Sequence, residues 1–283
     1  MTLFAIPFPD IDPVAISVGP LSIKWYGLAY MAGLLIGWYY VKRLIANASL
    51  WRNGRAPLTE PMTDDLLLAV TLGVVLGGRI GHVLFYEPGY YLSNPMQILK
   101  IWQGGMAFHG GVLGVIVALW LVSRWRNVPL LSLGDVVTAA VPVGLFFGRV
   151  ANFINSEVVG TVSNVPWAIA FPGYGPEPRH PAMLYEAFLE GLVLFAILYW
   201  LIHKRGALRM PGLTAGAFLL GYGLFRIVVE VFKIEEYRIL FPGLPITRGM
   251  AYSVPMVIAG LCFILLARRN ARRSRDISET GAT

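Results

Sequence analysis

The chain has 283 residues, of which 56% are hydrophobic and only 14% charged. A soluble domain carries about 25% charged residues, so an ordinary water-soluble fold is excluded, and the length suits several membrane helices of roughly 20 residues. The net charge of +7 would suit nucleic acid, but in a membrane protein the distribution of charge decides, and nucleic acid is not an expected partner.

Met1 to Pro13 has no basic stretch, and its acids are Asp10 and Asp12. No cleavable signal peptide is expected there. The proline-rich arm from Ile6 to Pro20 reads as an irregular segment at the membrane surface. Seven apolar spans follow, at about 21–41, 65–86, 108–123, 131–150, 182–202, 213–232 and 249–267. Most of the 23 basic residues fall in alternate connections: Lys42, Arg43, Arg52 and Arg55; Arg124 and Arg126; Lys204, Arg205 and Arg209; and Arg268, Arg269, Arg272, Arg273 and Arg275. The other connections hold only Lys100, Arg179, Lys233, Arg238 and Arg248. Positive-inside bias then places the N-terminus outside and the C-terminus in the cytoplasm. The expected architecture is an all-α membrane protein of seven transmembrane helices with irregular external loops. Residues 1–267 form a single integral membrane domain, and 268–283 form a basic, disordered cytoplasmic tail.

Within the spans, the polar residues are few and placed with a pattern. Trp25 and Tyr26 begin the first span and suit an outer aromatic belt. Arg79 lies seven residues before the outer end of the second. His109 opens the third among Gly104, Gly105, Gly110 and Gly111, which suggests an imidazole with an exposed edge, although a lone histidine also serves structural roles. Ser132 and Asp135 form an S-x-x-D pattern at the inner start of the fourth, read as a helix cap. Cys262 lies in an apolar run and is expected to be a buried core residue.

The stretch from Gly144 to Gly160 ends the fourth span and brings Arg149, Asn152, Asn155 and Glu157 within nine residues. An arginine at a helix centre in a bilayer costs about 2.5–3.5 kcal/mol on insertion scales, so Arg149 needs a partner. That partner is either Glu157, in a structural interfacial pair, or a ligand. The external connection 151–181 that follows is long, rich in proline and aromatic residues, and expected to be functional. In the sixth span Tyr222, Arg226 and Glu230 are spaced i, i+4, i+8 and share a helix face. Arg226 and Glu230 could simply neutralise one another. Taken together, polar groups from six spans meet in the outer half of the bilayer. Three arginines oriented by Glu157, Glu186 and Glu230 make a mostly cationic, partly dry site. Arginine binds phosphate bidentately and keeps its charge, so the residues point to an anionic phosphate head group carried by a lipid. They leave open an enzyme or a non-catalytic outer-leaflet phospholipid-binding or transport protein.

Gly148-Arg-Val-Ala-Asn-Phe-Ile-Asn-Ser-Glu-Val-Val-Gly160 resembles the G-R-x-[GA]-N-F-x-N-x-E-x-x-G signature of the prolipoprotein diacylglyceryl transferase family. Ile11–Gly27, Gly104–Gly111, Arg179–Glu186 and Gly221–Glu230 are similar to that family's other motifs, so the resemblance covers about Ile11 to Gly260. Ser156 and Val158-Val159 depart from it, standing where Gly and Leu-Trp are common. The resemblance implies a multi-pass enzyme of the bacterial cytoplasmic (inner) membrane, with its N-terminus periplasmic and its active site facing the outer leaflet. It implies transfer of the diacylglyceryl group of phosphatidylglycerol to the lipobox cysteine in the signal peptide of a prolipoprotein, the first step of lipoprotein maturation. A thioether forms and glycerol 1-phosphate leaves, with no metal or cofactor. It further implies that Arg149 binds the lipid phosphate and acts with Arg226 in catalysis. His109 is the candidate base, with Glu157 second. Tyr26, Asn152, Asn155, Glu157, Gly160, Tyr222 and Glu230 complete the substrate site, to which the reading of the spans adds Arg79. Membrane lipids surround it.

Overall fold

The computed structural model describes residues 6–9, 11–19, 21–234 and 246–280; Arg238 falls outside them. The chain is mostly helical. Its helices are α1 (Trp25–Ala46), α2 (Glu60–Phe85), α3 (Pro88–Ser93), α4 (Phe108–Arg126), α5 (Leu130–Ile154), α6 (Ala182–Glu186), α7 (Leu194–Arg205), α8 (Leu213–Glu230) and α9 (Arg248–Thr280). A π-helical stretch, Ala187–Val193, joins α6 and α7 into one continuous helix. Among the described residues, six helical segments are long and apolar enough to cross a membrane: Glu60–Phe85, Phe108–Arg126, Leu130–Ile154, Ala182–Arg205, Leu213–Glu230 and Arg248–Arg273. A helical multi-pass membrane protein fits this pattern. The remaining long helix, α1, has the length at 22 residues. Its Trp25, Tyr26, Tyr30, Trp38, Tyr39 and Tyr40 make it less apolar than the others.

The chain has two compact units, residues 42–134 and residues 1–41 with 135–283. In the first, α2 and α4 pack through glycines. A Cβ on Gly77 or Gly81 would lie 2.7 Å from the Cα of Gly114 or Gly110. This small-xxx-small spacing lets backbones touch where lipid offers no hydrophobic drive to associate. Gly110 therefore serves close helix packing.

In the second unit the N-terminal arm is ordered. β2 (Val14–Val18) pairs antiparallel with β3 (Leu21–Lys24), so residues 21–24 are strand and α1 starts only at Trp25. Period-two alternation in a β-branched stretch overrides the apolar run that suggested helix. β1 (Ile6–Pro7) pairs in parallel with β4 (Ile169–Ala170). The 151–181 connection is thus folded: Val159, Ile169, Phe171 and Met183 form a core with Phe8 and Phe153 against it. Glycines again bring α8 and α9 together, since a Cβ on Gly260 would lie 2.5 Å from Leu220 N.

Two further expectations change. Asp135 accepts hydrogen bonds from Gly212 N at 2.7 Å and Ala215 N at 2.8 Å. It caps α8 rather than its own helix, satisfying donors that a helix start leaves unpaired. Cys262 is exposed on α9 instead of buried. The segment 268–280, expected to be disordered, continues α9 to Thr280.

Candidate functional site

The site is built where α5, α6, the π-helical stretch and α8 bring ionised groups together. Arg149 stands in α5 just past the apolar run that the sequence marks, more than a turn before the helix ends at Ile154. Its Nε lies 2.9 Å from Glu186 Oε2, and its NH2 3.8 Å from Glu190 Oε2. Arg226 on α8 hydrogen-bonds through NH1 to Glu186 Oε1 and lies 3.9 Å from Glu190 Oε1. Its NH2 is 3.6 Å from Glu230 Oε2, the i,i+4 pair expected from the sequence. Lys233, just past α8, places Nζ 2.5 Å from Glu186 Oε1 and 3.7 Å from Glu230 Oε2. Burial pushes the Lys233 ammonium below the usual lysine range, while the Glu186 carboxylate opposes that shift.

The burial is uneven. Glu186 and Glu190 are fully buried, whereas the side chains of Arg149 and Arg226 keep 20% and 21% of their surface exposed. The carboxylates hold the arginines from behind, and the guanidinium forks are the accessible part. Both oxygens of Glu190 and Oε2 of Glu230 are buried here with no hydrogen-bond partner, although each lies within ion-pair distance of a cation. The expected mostly cationic site is corrected in one respect. Arg149, Arg226 and Lys233 face Glu186, Glu190 and Glu230, so cations and carboxylates balance.

A second cluster joins the first through Asn152. Its Oδ1 accepts from Arg149 NH1 at 3.4 Å. Its Nδ2 donates to Tyr26 OH at 2.6 Å and to Glu157 Oε2 at 2.8 Å, and Tyr26 OH donates to Glu157 Oε2 at 3.1 Å. Glu157 therefore pairs with Tyr26 and Asn152, and the structural Arg149–Glu157 pair is not formed. Ser156 and Val158, on either side of Glu157, have φ of 56° and 59°. Left-handed backbone is costly for non-glycine residues, most of all a β-branched one. The turn that aims the Glu157 carboxylate back at Tyr26 is thus held under strain. The same geometry explains why glycine suits position 156 in the resembling signature.

The other expected residues have clear places. Gly160 is buried in a backbone junction, its N–H bonded to His180 O at 2.9 Å, where a Cβ would lie 2.5 Å from Phe232 O. It closes the loop onto the end of α8. Asn155 caps the α5 end through its backbone, N to Ala151 O at 3.0 Å. Tyr222 is buried against Leu194, Leu198 and Phe218. His180, a residue of the Arg179–Glu186 motif, sets its Nδ1 2.9 Å from Tyr185 OH, which accepts from Trp167 Nε1 at 2.6 Å.

Arg79 and His109 belong to the unit 42–134. Arg79 is 4% exposed and donates to five backbone carbonyls: Ile98 at 2.9 Å, Gln97 at 2.5 Å, Gly104 at 2.6 Å, Gly105 at 3.2 Å and Lys100 at 3.4 Å. These contacts account for every guanidinium donor. They place Arg79 as the clamp of the 97–105 loop rather than as a phosphate ligand, which corrects the expectation. Gly104 and Gly105, at φ 87° and 75°, shape that loop around it. His109 is exposed near the start of α4, with its ring 5.7 Å from that of Phe108.

Glu190 and Lys233 join the site without being among the residues expected from the sequence. Glu190 carried a usable signal: it stands four residues after Glu186 inside an apolar span, where an ionisable residue is a functional candidate by default.

Residues 13–266 match the family described as prolipoprotein diacylglyceryl transferase. Relatives named phosphatidylglycerol–prolipoprotein diacylglyceryl transferase include one from Rhizobium meliloti, 52% identical over 270 residues, covering 95% of this chain and 96% of the relative. Those from Sinorhizobium medicae and Brucella ovis are 50% and 52% identical, each with 95% of this chain and 96% of the relative covered.

Proposed function

The chain belongs to the prolipoprotein diacylglyceryl transferase family, and from this membership we propose that it transfers the diacylglyceryl group of phosphatidylglycerol to the lipobox cysteine of prolipoproteins. The observation that carries the site assignment is the pair Arg149 and Arg226, anchored on one buried carboxylate, Glu186, with their forks partly exposed.

The chemistry follows from charge. The cysteine sulfur attacks the sn-3 carbon of the glyceride. A C–S bond forms, the C–O bond to phosphorus breaks, and the phosphate oxygen keeps the electron pair. Arg149 and Arg226 stabilise the negative charge that grows on that oxygen, with donors already oriented by Glu186. A free thiol has a pKa near 8.5 and must lose its proton. His109 is assigned to receive it on the strength of the resemblance, with Glu157 as the second candidate. Tyr26, Asn152 and Glu157 act as one hydrogen-bonded unit that fixes Arg149 and meets the substrate. Tyr222, Glu230, Asn155 and Gly160 shape the walls.

The membrane arrangement belongs to the same reading. α1, about 33 Å long at 1.5 Å per residue, serves as a seventh span. The N-terminus lies outside, in the periplasm of a bacterial inner membrane, and the site opens to the outer leaflet. Residues 1–267 are the membrane-integrated part. At 33 residues, α9 is about 50 Å long and exceeds the roughly 30 Å hydrocarbon core, so the basic end from Arg268 onward stands in the cytoplasm. The test is direct. Purified protein is incubated with phosphatidylglycerol and a lipobox peptide, and the thioether is sought by mass. Binding of the lipid without thioether would leave a phospholipid-binding or transport protein.

A further inference from the structure

Glu190 is fully buried, and neither of its carboxylate oxygens has a hydrogen-bond partner. One oxygen faces each arginine: Oε2 lies 3.8 Å from Arg149 NH2, and Oε1 lies 3.9 Å from Arg226 NH1. Both distances exceed a hydrogen bond. Glu190 is therefore not needed to orient either fork, which Glu186 does at closer range. It also stands near Glu186 in charge-on-charge proximity, an arrangement that low dielectric makes unfavourable. Its contribution must then be to the charge count. With Glu186 and Glu230 alone, the three cations Arg149, Arg226 and Lys233 would leave one positive charge over. With Glu190, they balance.

A balanced cluster takes one negative charge more easily than two. The lipid substrate presents a phosphodiester with a single charge. The released glycerol 1-phosphate is a phosphomonoester, dianionic at pH 8 because a second proton of this class leaves near pH 6. We propose that Glu190 is the specificity-determining residue that tunes the arginine pair to a monoanionic phosphodiester and drives off the dianionic monoester. The proposal rests on the transferase reading. Repulsion from the buried carboxylate behind the forks scales with the charge on the phosphate, so it acts about twice as strongly on the dianionic product as on the monoanionic substrate. It therefore weakens the hold on product more than the hold on substrate.

The experiment uses the full chain in detergent with phosphatidylglycerol and a lipobox peptide at pH 8. Two inhibitors are compared, glycerol 1-phosphate and its monomethyl ester, which differ by one charge at the phosphate. For the wild-type protein the methyl ester should have the lower Ki, by about threefold or more. In Glu190→Gln the order should reverse: the Ki of glycerol 1-phosphate falls by about tenfold while that of the methyl ester moves less than about threefold. Glu190→Asp, which keeps the charge, should keep the wild-type order. A merely structural role would shift both inhibitors together and leave their ratio unchanged. Equal or stronger inhibition of the wild-type protein by the monoester overturns the proposal without any variant, and so does an unaltered ratio in Glu190→Gln. A wild-type protein that forms no thioether overturns the transferase reading instead.

Discussion

Arg149 Nε lies 2.9 Å from Glu186 Oε2, and that carboxylate is fully buried. The same carboxylate also bonds Arg226 and Lys233. Removing one partner of a buried ion pair leaves uncompensated charge and costs about 3–5 kcal/mol. Glu186→Gln should therefore lower the melting temperature in detergent by several degrees and abolish most transfer activity. An unchanged melting temperature would show that the three cations do not depend on this one carboxylate.

Two arginines in similar sequence settings should respond in opposite ways. Arg149→Lys keeps the charge and loses the planar fork. Transfer should fall by at least tenfold, about 1.4 kcal/mol of transition-state stabilisation, with little change in stability. Arg79→Lys removes at least two of the five bonds to the 97–105 carbonyls, a loss of about 3 kcal/mol at the strength of charged hydrogen bonds. The KM for phosphatidylglycerol should stay within about threefold, while proteolysis within 97–105 speeds up. A raised KM in a stable Arg79→Lys protein would return Arg79 to the substrate site.

Sidedness can be read chemically. In a Cys262→Ser background, Ser163→Cys should label with an impermeant thiol reagent added outside intact cells. A cysteine replacing Thr283 should label only after the membrane is opened. Protection at 163 with free labelling at 283 would reverse the orientation drawn from positive-inside bias.

His180 gives a pH dependence with a definite sign. Burial lowers its pKa below the ordinary 6.5. Between the folded value and 6.5 the unfolded chain holds a proton that the folded chain does not, so stability rises with pH across that window. Acidification from pH 7 to about 5 should erode the melting temperature, and His180→Asn should flatten part of that slope. Identical slopes in the two proteins would mean that the His180–Tyr185 contact tolerates a charged imidazole.

Much of this was legible in the residues. The signature from Gly148 to Gly160 marks Arg149, Asn152 and Glu157, and the helical spacing of Tyr222, Arg226 and Glu230 gives one face. What the sequence left hidden are pairings across helices. Glu186 links Arg149 to Arg226 only because α6 turns that carboxylate toward both α5 and α8, a rotation that no local pattern encodes. Asp135 shows the same limit: the S-x-x-D pattern names a cap correctly, but the donors it serves lie 77 and 80 residues away. Arg79 looked like Arg149 because both interrupt apolar runs. Their difference lies in five carbonyls of a loop whose path depends on the tertiary fold. Leu21–Lys24 reads as part of the first span because apolar strand and helix abut without a breaker.

The remaining question at the reaction itself is which group receives the thiol proton. His109 is exposed near the start of α4. If it is the base, His109→Gln should keep phosphatidylglycerol binding and lose turnover. That loss should shrink as pH rises toward about 8.5, because the thiolate then forms without help. If His109 instead holds the lipid or supports the turn before α4, binding should weaken and alkaline pH should rescue nothing. Rates of both proteins measured from about pH 6 to 9, with lipid binding in parallel, separate the two. A constant ratio of the rates across that range would remove His109 as the base. Glu157 would then inherit the role: it is exposed, accepts from Tyr26 and Asn152, and is linked through Asn152 to Arg149.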